Sequence, residues 1–153
     1  MALRLTANNL IGEDAMGDAV LDDMKIHVKL KLSALWAALM FCYIYGDYFG
    51  LYVPGQLKGM LAGDGQIGAV SQGTLLATSV LLAVPGIMVF LSLVLAPKIN
   101  RWLNIILGAF YIVIMLMTMP GAWWFYILLG VTEILLGLLT VWYAWTWPKR
   151  STM

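Results

Sequence analysis

The sequence predicts an all-α integral membrane protein, an antiparallel four-helix bundle with both termini in the cytoplasm. Three observations predict it. Four long stretches are nearly free of charge, in a chain that is 62% hydrophobic and only 11% charged. A soluble domain of this length cannot cover that much apolar surface, whereas runs of ~18 or more apolar residues read as membrane-spanning helices. Eight of the nine cations share one face: Arg4, Lys25, Lys29 and Lys31 before the first stretch, Lys98 and Arg101 between the second and third, and Lys149 and Arg150 after the fourth, with Lys58 alone opposite. That bias places the cation-rich face, and so both termini, in the cytoplasm of a multi-pass inner-membrane protein. Aromatic residues mark both interfaces. Trp102, Trp142, Trp145 and Trp147 fall at the inner ends, and Tyr48, Tyr52, Trp123 and Trp124 at the outer ends, where amphipathic rings prefer the headgroup level.

Residues 1–24 are short of large apolar groups and carry Glu13, Asp14, Asp18, Asp22 and Asp23. They read as a cytoplasmic tail, without the apolar core of a signal peptide, ahead of a four-helix transmembrane domain over 25–153. The first span is expected over about 30–53. Its approach, "KIHVKLKL" at 25–32, alternates as a strand does. A lone strand at a membrane has no partner, so a helix capped by Asp22 or Asp23 is expected, with Lys25, Lys29 and Lys31 reaching toward headgroups. "PGQLKGMLAGDGQIGA" at 54–69 is the longest loop, and its "QLKGML" suits a short interfacial helix. The second span is expected over about 69–96, the third over 99–119 and the fourth over 121–147. "APKIN" and "MPGA" are tight Pro- and Gly-bearing turns, which end helices and reverse the chain. No internal repeat is evident, so an inverted-repeat transporter is not indicated.

Each span carries one semi-polar seam at helical spacing. On the first it is Trp36, Met40, Tyr43, Asp47 and Gly50; on the second Ser71, Thr74, Thr78, Pro85 and Ser92. The third has Asn104, Gly108, Tyr111, Met115 and Thr118, and the fourth Tyr126, Gly130, Glu133, Gly137, Thr140 and Ala144. Pro85 also frees the carbonyl of Leu81, four residues back. Small residues let helices approach closely inside a bilayer, so the four seams are expected to share one core.

Two acids lie within the spans. Glu133 is about twelve residues into the fourth, near the midplane at ~1.5 Å per residue. Asp47 is roughly two turns from the outer end of the first, in "FCYIYGDYFGLYVPG" at 41–55. A charged carboxylate at the bilayer centre costs ~2.5–3.5 kcal/mol even on lenient scales. Facing the bundle, pairing, or taking up a proton meets that cost; Lys31 and Arg101 stand at the cytoplasmic ends of their spans, and no Lys, Arg or His lies deeper in the membrane to pair with either acid. The ligand-binding candidates are therefore Glu133, Asp47, Tyr43, Tyr111, Thr78 and Asn104, around a small ligand, ion or proton. A hydrogen-bonded packing network is the alternative role for Glu133, and snorkelling to the outer headgroups is the alternative for Asp47.

Enzyme chemistry finds little purchase. Cys42 is the single cysteine, which leaves no disulfide, CxxC or thiolate cage. No HExxH, GxSxG, P-loop or dinucleotide motif occurs. Nothing in the sequence points to a catalytic residue, a metal, a cofactor or nucleic acid.

"SALWAALMFCYIYGDYFGLYVPG", residues 33–55, resembles the start of a small uncharacterised family of four-pass bacterial and archaeal membrane proteins. The resemblance covers most of residues 25–147 and implies location and topology only. "ILLGVTEILLGLLTVWYAW", residues 127–145, is similar to the glycine-and-glutamate last helix of DoxX-like proteins. That likeness implies association with redox complexes or receptor assembly. Two readings follow: a semi-polar core that binds or passes a small ligand, ion or proton, or an accessory or assembly subunit that docks other membrane proteins. The partners expected are the lipid bilayer and further copies of the chain or another membrane protein.

Overall fold

The computed structural model describes residues 24–65 and 68–148. The expected acidic tail and the cations Arg4, Lys149 and Arg150 lie outside the described residues. The elements are α1 (Val28–Gly50), α2 (Gln56–Leu61), the two-residue strands β1 (Asp64–Gly65) and β2 (Gly68–Ala69), α3 (Gln72–Val94), α4 (Pro97–Thr118) and α5 (Trp124–Trp145). Helices α1, α3, α4 and α5 are each long and apolar enough to cross a membrane. At ~1.5 Å per residue they reach about 33 Å, against a hydrocarbon core of ~30 Å.

Local chemistry accounts for where the helices start and stop. Helix α1 begins at Val28, and His27 rather than Asp22 or Asp23 caps it: its backbone is extended, and Nδ1 accepts from the Lys29 amide at 3.3 Å. An imidazole nitrogen two residues from an orphan N–H does the work expected of a carboxylate. Ser71 and Thr74, expected on a seam, instead form a reciprocal capping box at the start of α3. Pro97 occupies the first turn of α4, where its missing N–H is harmless. "VPGQ" and "MPGA" both close as turns, Gln56 N to Val53 O at 3.0 Å and Ala122 N to Met119 O at 3.0 Å. Gly55 and Gly121 sit at φ +84° and +79°, the left-handed conformation that the residue after proline takes in a type II turn.

Helix α1 is the centre of the packing, flanked by α3 and α5, and α4 lies along α5. Gly108, Gly130 and Gly137 set the α4–α5 approach. A Cβ on Gly137 would stand 2.7 Å from Ile112 Cγ1, one on Gly130 2.8 Å from Met115 Cε, and one on Gly108 3.0 Å from Val141 Cγ2. Consecutive helices α3 and α4 share little backbone contact. Side chains bridge them: Tyr111 Oη donates to Leu81 O at 2.6 Å and Asn100 Nδ2 to Ser92 O at 2.6 Å.

Cations gather where helices finish. Lys29 Nζ donates to Leu93 O at 3.0 Å and Leu95 O at 2.8 Å, at the end of α3. Arg101 donates to Trp145 O at 3.3 Å, at the end of α5, and Lys31 lies 4.9 Å from the Tyr143 ring centroid. Positive charge there complements the free carbonyls and negative pole of each helix. Lys58, on α2, sits at the opposite end. The outer faces are apolar, with Phe41, Ile44, Leu76, Phe90, Ile106 and Leu128 exposed, as contact with a lipid bilayer requires.

Candidate functional site

Glu133 lies near the middle of α5, on the stripe of Gly130, Gly137, Thr140 and Ala144, all of them buried. Periods of three and four residues put these positions on one face, and the glycines draw α4 against it. Glu133 is 5% exposed, and its Oε2 has no hydrogen-bond partner among the described residues. A buried polar atom left unsatisfied is uncommon and calls for a physical account. Tyr43 lies within electrostatic range of Glu133, Tyr111, Tyr126 and Cys42. Its ring centroid is 6.1 Å from that of Tyr111.

The six sequence candidates divide. Glu133, Tyr43 and Tyr111 come together in one neighbourhood. Asp47 is near enough for its charge to act on Glu133, but it is exposed and not part of the buried seam. The cause is rotational. Gly46 and Gly50 face inward on α1, which turns residue 47 about 100° away at 3.6 residues per turn. The expected stripe through Met40 and Asp47 is thus replaced by one through Trp36, Leu39, Gly46 and Gly50.

The Tyr111 hydroxyl, expected as a partner for the acid, is committed to Leu81 O instead, the carbonyl released by Pro85. The Thr78 hydroxyl is committed within its own helix, bonding back to Thr74 O at 3.0 Å, a common fate for threonine in a helix. Asn104 belongs to a separate network. Trp36 Nε1 donates to Asn104 Oδ1 at 2.7 Å, Asn104 Nδ2 donates to Asn100 O at 2.8 Å and Asn100 Oδ1 at 2.7 Å, and Asn100 Nδ2 reaches Ser92 O. These groups join α1, α4 and α3, and both asparagines are fully buried. Asn100 escaped the sequence reading because "APKIN" looks like a turn. Its spacing of four from Asn104 was the available signal.

Two clefts open near the α2 end of the bundle. One, of about 560 Å³, is lined by Gln56, Asp64, Thr118 and Gly121 among others. The other, of about 310 Å³, is apolar, between Phe49, Tyr52, Trp123 and Phe125. Neither is lined by Glu133. Tyr126, on the Glu133 stripe, donates its hydroxyl to Thr118 Oγ1 at 3.1 Å. Among the described residues, no three His, Cys, Asp or Glu side chains cluster as metal ligands.

No curated protein and no solved structure matches the chain. A family model does match, over residues 22–153. On that match the chain, with its four membrane-capable helices, belongs to DUF6326, a family of unknown function.

Proposed function

We propose that the chain is a multi-pass inner-membrane protein that binds a proton or small cation at Glu133, with Tyr43 beside the site and Asp47 toward its outer mouth. The observation that carries this reading is the buried Glu133 carboxyl, with one oxygen unpartnered. A charge held there costs ~2.5–3.5 kcal/mol or more, and a bound proton or cation offsets it. The cations at one end of the bundle support an antiparallel arrangement with both termini cytoplasmic.

Binding is favoured over passage, because the core beyond Tyr111 is closed by packed side chains, with the Trp36 indole, the Asn104 amide and the Tyr111 hydroxyl already committed as donors. The alternative, an accessory or assembly subunit, draws on glycine faces free to dock. Gly108, Gly130 and Gly137 are instead filled by the chain's own helices, which leaves that reading with less support.

Infrared spectroscopy of the protein in lipid tests the site. A protonated-carboxyl carbonyl band should be present at neutral pH and vanish in Glu133→Gln, or appear only once monovalent cations are withdrawn. A spectrum unchanged by the substitution in both conditions would rule the site out. A pH-jump assay in liposomes addresses passage: equal flux from wild type and Glu133→Gln would remove any conducting role.

A further inference from the structure

We infer that the Glu133 site, taken as the binding site proposed above, is entered from one end of the bundle only. The route runs from the polar cleft between α2 and the α4–α5 turn, past Thr118 and Tyr126, while the Trp36–Asn104–Asn100 network seals the other end.

On the cleft side, hydroxyl groups stand between the cleft and the level of the acid. Thr118 lines the cleft; its Oγ1 accepts from Tyr126 at 3.1 Å and donates to Met115 O at 3.0 Å. Tyr126 and Glu133 share one face of α5, seven residues and about two turns apart. Tyr43 on α1 is within electrostatic range of both. Hydroxyls both donate and accept and can rotate, so these groups can solvate a small cation, or a water that carries a proton, as it passes from the cleft toward the acid. Asp64 in the cleft wall and the exposed Asp47 put two acids on this side, against Lys58 on α2.

On the other side the groups present cannot do this. Trp36, Leu39, Met88 and Tyr111 form one cluster, each no more than 3% exposed. The Tyr111 hydroxyl is held by Leu81 O. Beyond it stand an indole N–H, two primary amides and the buried Ser92 hydroxyl; an indole N–H donates only, and the Ser92 Oγ bonds to none of the described residues, so it extends no chain. Amides of this kind keep their protons, so the chain of bonds from Trp36 to Ser92 is continuous in space but passes no proton. Ser33 adds a further lock, donating to Val89 O at 2.7 Å. Lys29 and Arg101 then place positive charge at that end, which disfavours a cation there.

Cysteine accessibility in proteoliposomes, in a Cys42→Ala background, tests the route without reference to the state of Glu133. Tyr126→Cys should react with a small membrane-impermeant methanethiosulfonate. Ser92→Cys and Ser33→Cys, both near-isosteric changes, should stay unreactive with reagent on either face. Reaction of Ser92→Cys as fast as Tyr126→Cys, or no reaction of Tyr126→Cys in protein that elutes as folded, overturns the inference.

A second measurement couples route to site. A maleimide adduct on Thr118→Cys should abolish the deuterium shift of the Glu133 carboxyl band over the time in which unmodified protein completes it. The same adduct on Lys98→Cys should leave it intact, and the reverse pattern overturns the one-ended route. If Glu133→Gln leaves the infrared spectrum unchanged, the binding reading falls on its own, and the accessibility pattern still decides the route.

Discussion

Leu81 shows how two side chains distant in sequence settle one backbone group. Pro85 has no N–H to offer the carbonyl four residues before it, and the Tyr111 hydroxyl takes that place. Tyr111→Phe should therefore destabilise the protein by about 0.5–1.5 kcal/mol. In a Pro85→Ala background, where a backbone N–H is restored, the same change should cost less. A double-mutant cycle measured by unfolding in mixed micelles checks this, and equal costs in both backgrounds would show that the two residues act independently. The freed carbonyl was legible in the sequence, because its cause lies one helical turn away. The residue that captures it was not, since nothing local to α3 names a tyrosine on α4. The acids teach the same lesson. Glu133 stands among small residues at clean helical spacing, and its inward face could be read directly. Asp47 has Gly46 and Gly50 close by, so two stripes one residue apart were compatible with the sequence, and the glycine stripe is the one that is buried, with Gly46 next to Leu129 of α5.

Among the helices, α4 and α5 share the most extensive contact. Their contact depends on hydrogen in place of a side chain at Gly108, Gly130 and Gly137. Gly137→Leu should push the helices apart at Ile112 and lower stability by about 1–3 kcal/mol, the usual range for overpacking. Gly86→Leu is the matched control. A Cβ there meets nothing within 4 Å, so the change should fall within about 0.5 kcal/mol of wild type. Unfolding of both variants in the same micelles gives the comparison, and equal losses would mean that the α4–α5 contact is not limiting. The start of α1 shows what hydropathy leaves out. Charge preference suggested an aspartate cap, yet the cap falls to whichever acceptor meets the first free N–H with extended backbone, and here that is His27.

Across the whole molecule, the grouping of Lys29, Lys31, Lys98 and Arg101 at one end supports a single orientation. A green fluorescent protein fused to the C-terminus should fluoresce in the cytoplasm, and alkaline phosphatase fused there should be inactive. An active phosphatase fusion would reverse the proposed sidedness. The number of long helices, their approximate limits and the inward face of Glu133 were determined by the sequence alone. Each follows from apolar run length or from the 3.6-residue period, and both are properties of residues within a few turns of one another. Tertiary structure alone decided that α1 lies between α3 and α5, that α3 and α4 meet through side chains, that Asp47 stays at the margin, and that Trp36, Asn104 and Asn100 lock together. Those outcomes depend on which stripe of one helix meets which stripe of another, and the pairing is set by shape and hydrogen-bond geometry between segments far apart in the chain.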